Sequence, residues 1–446
     1  MWENEEQARA EIKKLVGEYY HQFKEDKSVF KPGDRINYAS RVFDEKEMQS
    51  LTDATLDFWL TTGRFCNEFE KNFGEWIGAR FVHLVNSGSS ANLLAFTALT
   101  APELGKKQIR KGDEVITVAC GFPTTINPIL QYGAVPVFVD VTIPQYNIDV
   151  TKLEDAYNPG KTKAVMIAHT LGNPFNIKAV KEFCDKYDLW LVEDNCDALG
   201  SKYTMGETRF TGTWGDIGTS SFYPPHHMTM GEGGAVYTND PLLNRLLLSF
   251  RDWGRDCVCP SGKDNLCGHR FDGDWSELPH GYDHKYVYSH FGYNIKVTDM
   301  QAAVGVEQLK KFPDFIKARK VNWSYLKDNL KGLSDKLILP EPEQDSDPSW
   351  FGFLISVKPE TGLNRNAVTR FIEDHNIQTR LLFSGNITRH PCFDQIRNTD
   401  AYRVVGSLDN SDFIVNNSFW VGVYPGMTKE KLDYMAEVIS DAVKSH

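Results

Sequence analysis

Short apolar segments alternate with amphipathic segments across the first half of the chain, and this alternation constrains the fold most. The apolar runs FVHLVNSG (81–88), DEVITVAC (113–120) and LWLVEDN (189–195) are separated by stretches with helical periodicity. Nearly continuous apolar strands between amphipathic helices are typical of a parallel sheet that is covered on both faces. Right-handed crossovers then bring the loops after the strands' carboxyl ends to one crevice. We therefore expect an α/β fold with a mostly parallel sheet.

The length of the chain favours two lobes, because 446 residues are too many for one compact core. We predict an N-terminal helical extension over residues 1–45, a large α/β domain over 46–310 and a smaller C-terminal α/β domain over 311–446. Between residues 255 and 292 the periodic pattern gives way to a segment rich in Gly, Asp, His and Cys. A loop of this length inside a compact domain is usually functional or disordered.

The charge and hydropathy of the chain exclude several classes of partner. The formal net charge is −11 and there is no long basic run, which argues against binding to nucleic acid or to an anionic membrane. No apolar run reaches the ~20 residues that cross a bilayer. The acidic start, MWENEEQARAEIKKL, lacks the apolar core of a signal peptide. We expect a soluble, cytoplasmic protein.

Three segments that follow predicted strands carry residues suited to a flat, phosphorylated cofactor. Gly88, Ser89 and Ser90 open a helix and could surround an anion, although such a turn is most often only a helix cap. Asp194 ends an apolar strand and could pair with a protonated ring nitrogen, or merely cap a loop. Phe122 could stack on a ring, although a lone phenylalanine is more often core packing.

Together with SFYPPHHMTMGEGG (221–234), these segments resemble the sugar-modifying branch of the pyridoxal-phosphate enzymes with the aspartate aminotransferase fold. The resemblance runs from about residue 40 to the C-terminus and implies PLP fold type I, with a large sheet domain and a smaller α/β domain. It implies that Asp194 meets the pyridine nitrogen and that Phe122 stacks on the ring, while Asp197 stands where relatives carry a glutamine near the ring. It also implies a homodimer, with the cofactor phosphate held by the turn at Gly88 and by Ser89, Ser90, Ser221 and, from a second subunit, Asn294.

His226 stands where enzymes of this branch carry the lysine that binds the cofactor covalently. The position five before the first glycine of GEGG is the Schiff-base lysine in the resembling enzymes, and here it is His226, five before Gly231. A lysine amine can condense with an aldehyde and move protons, whereas imidazole can only move protons. The coenzyme would then be held without a covalent bond, as pyridoxamine phosphate. The alternative is a decayed aminotransferase. The intact motifs around His226 argue against it. His227 falls off the motif and is expected to support its neighbour.

Four of the eight cysteines stand apart from the rest. Cys196 comes two residues after Asp194, and Cys257, Cys259 and Cys267 lie in the irregular loop. Four thiolates could bind zinc or an iron–sulfur cluster, and C-x-C-x7-C is not a zinc-ribbon spacing. On the residues alone, a cluster, zinc and uncoordinated thiols all stay open.

The stretches SFYP-x-HH-x-TMGEGGAV, RDWGRDC-x-C, GYDHKY-x-YSH and SDPSWFGF are similar to those of the CDP-4-keto-6-deoxyglucose 3-dehydrase family. This resemblance implies a [2Fe–2S] cluster on the four cysteines and His226 as the catalytic base. It implies removal of the C3 hydroxyl from a CDP-linked 4-keto-6-deoxyhexose in 3,6-dideoxysugar biosynthesis for lipopolysaccharide O-antigen. A separate reductase would supply electrons through the cluster. The alternatives are a nucleotide-sugar aminotransferase, which needs a lysine at 226, and a non-catalytic zinc-stabilised scaffold.

Overall fold

The structure is a computed structural model, and it describes residues 2–445. Its helices are α1 (Glu5–Phe23), α2 (Glu45–Asp57), α3 (Arg64–Ile77), α4 (Gly88–Ala98), α5 (Pro123–Tyr132), α6 (Leu153–Ala156), α7 (Ile177–Tyr187), α8 (Pro241–Arg251), α9 (Asp299–Leu330), α10 (Arg365–Asp374), α11 (Asp409–Asn417) and α12 (Lys429–Ser445). Its strands are β1 (Phe81–Val85), β2 (Glu114–Val118), β3 (Val135–Val139), β4 (Thr162–Ala168), β5 (Trp190–Asp194), β6 (Lys202–Met205), β7 (Glu207–Phe210), β8 (Ile217–Ser221), β9 (Gly234–Thr238), β10 (Leu337–Ile338), β11 (Ser346–Asp347), β12 (Gly352–Val357), β13 (Arg403–Val404) and β14 (Ser418–Gly422).

An eight-stranded sheet forms the centre of the large lobe, in the order β1-β9-β8-β5-β4-β2-β3-β13. Strand β9 runs antiparallel to both of its neighbours, β1 and β8. The other pairs from β8 to β13 are parallel. Every residue of β2, β5 and β8 is buried, as a sheet with both faces covered requires. The predicted α/β fold with a mostly parallel sheet is confirmed.

Helix α4 begins at the edge of the sheet where the crevice is predicted. The side chain of Ser87 caps it by accepting a hydrogen bond from the backbone N–H of Ser90. Most of its residues, from Gly88 to Ala98, are buried, because it packs between the sheet and helices α5 and α8. Its amino-terminal end, which carries the partial positive charge of a helix, lies at the carboxyl end of β1.

The small lobe is built on the antiparallel sheet β10-β12-β14. Helices α9, α10 and α12 pack on this lobe and share its apolar core. The 32-residue helix α9 joins the lobes, and it starts at a capping box formed by Thr298 and Gln301.

One helix and two backbone pairings cross the predicted domain limits. Helix α9 runs through the limit at 310, strand β13 pairs with β3 of the large sheet, and Ile36 forms a bridge with Ile377 inside the small-lobe core. The division at 45 and 310 stays a prediction, and the lobes share more backbone pairing than the division implies.

The segment 255–292 contains no α-helix or strand, only a 3₁₀ turn at His284–Tyr286 and a bridge between Arg255 and Tyr288. Its course is set by ion pairs such as Lys285–Asp264 and by a hydrogen bond from Thr62 to Ser261. Elsewhere too, within residues 2–445, no helix has both the length and the apolar character needed to cross a bilayer.

Candidate active site

A cavity of about 260 Å³ opens where the carboxyl ends of β2, β4, β5 and β8 meet the small lobe. The crevice predicted from the strand order is therefore present. The large lobe lines it with Gly88, Ser89, Asn92, Phe122, Thr124, Thr125, Asp194, Cys196, Asp197, Ser221, Tyr223 and His226, among others. The small lobe adds Phe351, Arg380, Leu381, Phe383 and Trp420.

The turn at the start of α4 has the shape of an anion site. A Cβ atom on Gly88 would lie 2.4 Å from the Cβ of Ser221 and 3.0 Å from Sγ of Cys196, so only glycine fits. Ser89 and Ser221 line the cavity with it. Ser90 does not line the cavity. Its N–H donates to the hydroxyl oxygen of Ser87, and its own hydroxyl oxygen accepts from the hydroxyl of Ser87. The structure thus places Gly88, Ser89 and Ser221 at the cavity, whereas Ser90 is bonded to the cap residue Ser87.

Asp194 is held rigidly at the floor of the cavity. Its Oδ2 accepts hydrogen bonds from Nδ2 of Asn92 at 2.7 Å and from Oγ1 of Thr125 at 2.6 Å, and its Oδ1 accepts from the backbone N–H of Cys196 at 3.1 Å. A buried carboxylate with three donors is preorganised to face a cation. Asn92 and Thr125 were not predicted from the sequence. The amide of Asn92, in an apolar helix just after the serine turn, could have indicated a partner for a buried polar group.

Phe122 is a cavity wall and not a core residue. It occupies the N-cap position of α5, is 49% exposed, and meets Phe383 of the small lobe edge to face with ring centroids 5.8 Å apart. Its exposed ring face is available to a planar ligand.

His226 and His227 point to different surroundings. Nε2 of His226 lies 3.5 Å from Oδ1 of Asp197, and both side chains line the cavity. Burial raises the pKa of Asp197, and the nearby His226 acts in the opposite direction. His227 is buried behind the cavity, where its Nε2–H donates to the carbonyl oxygen of Ser349 at 2.7 Å.

The four cysteines are not brought together, which departs from the predicted ligand set. Cys196 lines the cavity, where burial raises the pKa of its thiol well above the usual value. Cys257 interacts with Cys259, and Sγ of Cys267 accepts from the N–H of His269 at 3.4 Å. Among residues 2–445 no three His, Cys, Asp or Glu side chains are grouped to hold a metal ion. The loop's own hydrogen bonds and ion pairs, not contacts with Cys196, set its course here.

Asn294 also lies away from this cavity. Its side-chain oxygen accepts from Nζ of Lys296 at 2.9 Å, and its backbone pairs with Asp252. A role in the cofactor site of a second subunit stays a prediction.

The side chains at the cavity fit a phosphorylated pyridine cofactor. They supply an anion-binding turn that only glycine can form, a fixed carboxylate and a half-exposed aromatic ring. Among the residues described, the four cysteines are not grouped to hold a metal ion: Cys196 lines the cavity, whereas Cys257, Cys259 and Cys267 lie in the segment 255–292 and do not line it.

This fold and this cavity define the class: the protein has the α/β fold of the type I pyridoxal-phosphate enzymes. The sequence profile of the DegT/DnrJ/EryC1/StrS aminotransferase family matches residues 42–440, and the chain belongs to that family. It is therefore an enzyme of the pyridoxal-phosphate-dependent sugar dehydratases and aminotransferases of deoxysugar biosynthesis, and its cofactor is pyridoxal or pyridoxamine phosphate.

The chain is 53% identical over 427 residues to the lipopolysaccharide biosynthesis protein RfbH of Salmonella typhimurium, covering 96% of each chain. It is 49% identical to the dTDP-4-dehydro-2,6-dideoxy-D-glucose 3-dehydratase of Saccharopolyspora spinosa, covering 95% of this chain and 90% of that protein. A solved structure of the E. coli GDP-4-keto-6-deoxy-D-mannose-3-dehydratase with bound hydrated PLP is 30% identical, with a TM-score of 0.80 and coverage of 91% and 99%.

Proposed function

We propose that this enzyme is a pyridoxamine-phosphate-dependent dehydratase that removes the C3 hydroxyl of a nucleotide-linked 4-keto-6-deoxyhexose. The observation that carries the proposal is His226, which faces the cavity at the position where the resembling aminotransferases carry their lysine. An imidazole there can move a proton but cannot bind the cofactor covalently. The 3-dehydratase named among its relatives supports the same chemistry.

The bound cofactor would supply a primary amine that condenses with a C4 ketone and a pyridine ring that accepts electron density. Asp194 would hold a proton on the ring nitrogen, because its carboxylate is fixed by three donors and needs no rearrangement to face a cation. Gly88, Ser89 and Ser221 would hold the phosphate, and Phe122 would cover one face of the ring.

His226 would take the proton from the C4′ carbon of the cofactor and return a proton when the hydroxyl leaves. Asp197, 3.5 Å from its Nε2, keeps the imidazole directed into the cavity. The apolar rings of Phe351 and Trp420 help to keep water away from that proton.

We propose a CDP-linked sugar as the substrate, on the strength of the motifs shared with the CDP-4-keto-6-deoxyglucose 3-dehydrases. The names of other relatives specify dTDP and GDP sugars. The test is turnover of CDP-, dTDP- and GDP-linked 4-keto-6-deoxyhexoses by the reconstituted enzyme with a two-electron donor present, followed by mass spectrometry. We expect loss of the C3 hydroxyl with the CDP sugar at a kcat/KM at least ~10-fold above the others. Amino sugar as the sole product would refute the proposal in favour of an aminotransferase.

The [2Fe–2S] cluster and the separate electron-donating reductase belong to the same proposal but rest on the motif resemblance. Since the structure does not bring Cys196 to the loop cysteines, no step of the reaction is assigned to a cluster. Anaerobic reconstitution with iron and sulfide should give a reddish-brown absorption band and two irons per chain. The variant Cys259→Ser should lose that band, whereas Cys392→Ser, an exposed cysteine outside the set, should keep it. A colourless zinc-binding protein would refute the cluster.

A further inference from the structure

A buried arginine behind the cavity has no place in the function proposed above. Arg319 of helix α9 is 1% exposed and is among the largest fully buried side chains of residues 2–445. Burial lowers the pKa of Arg319 to about 9, with Asp197 acting in the opposite direction, so the guanidinium stays charged at neutral pH. Burying a charged group costs free energy unless hydrogen bonds or an opposite charge compensate for the lost hydration.

The hydrogen bonds of Arg319 go to three backbone carbonyls. Its Nη1 donates to the carbonyl oxygens of Trp350 at 3.2 Å and Phe351 at 3.3 Å, and its Nη2 donates to that of His226 at 3.3 Å. None of the ion pairs among the described residues includes it. Its Nε is buried without a hydrogen-bond partner. The direct contacts of the arginine therefore bridge two backbone segments, and no carboxylate of the described residues forms an ion pair with it.

A second side chain ties the same two segments. His227 donates from Nε2 to the carbonyl of Ser349, which precedes the two residues held by Arg319. The ring of Phe351 lies between these groups, 5.4 Å from the ring of His226 and 5.9 Å from the guanidinium. Residues 226–227 are thus fastened to residues 349–351, where the chain enters strand β12 of the small lobe.

We propose that Arg319 is a positioning residue, which fixes the backbone of His226 against the start of β12 so that the small lobe sets the place of the base. The inference rests on the proposed function only for the role of His226 as a base. A planar guanidinium with a fork of donors can span three carbonyls, whereas an ammonium group or an apolar side chain cannot. A displacement of the base by about 1 Å is enough to cost on the order of 100-fold in rate.

The test compares Arg319→Met and Arg319→Lys with the control Arg365→Met in the full-length enzyme. Arg365 is a matched control, because it also donates to two backbone carbonyls, those of Val415 and Ser418, and its Nε is also unpartnered. It does not line the cavity. We expect Arg319→Met to lower kcat by about 10- to 100-fold with KM and cofactor affinity nearly unchanged. Arg319→Lys should lie between that variant and the wild type, and Arg365→Met should keep kcat.

A second readout needs no turnover. With labelled histidine, the NMR signal that His226→Asn removes should shift in both Arg319 variants and stay in place in Arg365→Met. If no sugar nucleotide is turned over by the wild type, the proposed function fails while this comparison still tests the arginine. An unmoved His226 signal in Arg319→Lys, or an equal loss of kcat in Arg365→Met, would overturn the proposal. Should Arg319→Met not fold, the lysine variant decides in the same way.

Discussion

Two neighbouring histidines show how much the surroundings of a residue determine its chemistry. His226 and His227 are consecutive, yet one lines the cavity beside Asp197 and the other is buried with its Nε2–H bonded to Ser349. Burial and the charge of Arg319 lower the pKa of His227 well below its ordinary value, which keeps it neutral. A neutral imidazole that is buried behind the cavity is poorly placed to move a proton there, which supports the proposal that His226 acts as the base.

The first prediction concerns this residue. His226→Asn should retain the fold and bind pyridoxamine phosphate, because the anion turn and Asp194 do not depend on it. Dehydration should fall by about 100- to 10,000-fold, the usual contribution of a positioned acid–base group. Cofactor binding is checked by absorbance and dehydration by a single-turnover assay. Full activity in this variant would overturn the assignment of the base.

At the scale of elements, the edge strand β1 and helix α8 share a buried polar contact. His83 of β1 is 8% exposed and lies 2.6 Å from Oδ1 of Asn244 in α8, to which its Nε2–H donates. Burial, with the nearby Arg251 as a further cause, lowers the pKa of His83 from 6.5 to about 3. Burial therefore favours the neutral imidazole in the folded protein, although the hydrogen bond to Asn244 acts in the opposite direction.

This contact predicts a loss of stability in mild acid. Between pH 6.5 and 3 the unfolded chain binds a proton at His83 that the folded chain does not, so stability falls as the pH falls. From pH 7 to 5 the expected loss is about 2 kcal/mol from His83, and the buried His227 adds to it. Urea unfolding at both pH values measures it. His83→Gln should reduce the difference, whereas His269→Gln, in the exposed part of the loop, should leave it unchanged. An undiminished difference in His83→Gln would contradict the prediction.

At the scale of the whole molecule, the site lies between two lobes, and Asn294, one of the predicted phosphate ligands, lies outside it. Asn294 is absent from the cavity of its own chain and is held near Lys296 and Asp252. We propose that a second subunit brings it to the phosphate, as the resemblance implies, which requires a homodimer.

Subunit mixing tests this arrangement. Asn294→Ala and His226→Asn should each be nearly inactive alone. If Asn294 acts across the dimer, unfolding and refolding the two variants together in equal amounts should restore about a quarter of wild-type activity, since half of the dimers then carry one intact site. Refolded wild type is the control. No recovery in the mixture would show that Asn294 does not act across the interface, and sedimentation would report the dimer itself.

Local patterns in the sequence determined the alternating strands and helices, the crevice at their carboxyl ends, the glycine-serine turn and Asp194, because burial and capping depend on residues close in the chain. Only the tertiary structure decided which residues meet. Asn92 and Thr125 reach Asp194 from 102 and 69 residues away, and Arg319 reaches His226 across 93 residues. The N–H of Ser90 bonds to Ser87, and the four cysteines are not grouped among residues 2–445. Those outcomes depend on how helices and loops pack in space, and no short pattern encodes packing between distant segments.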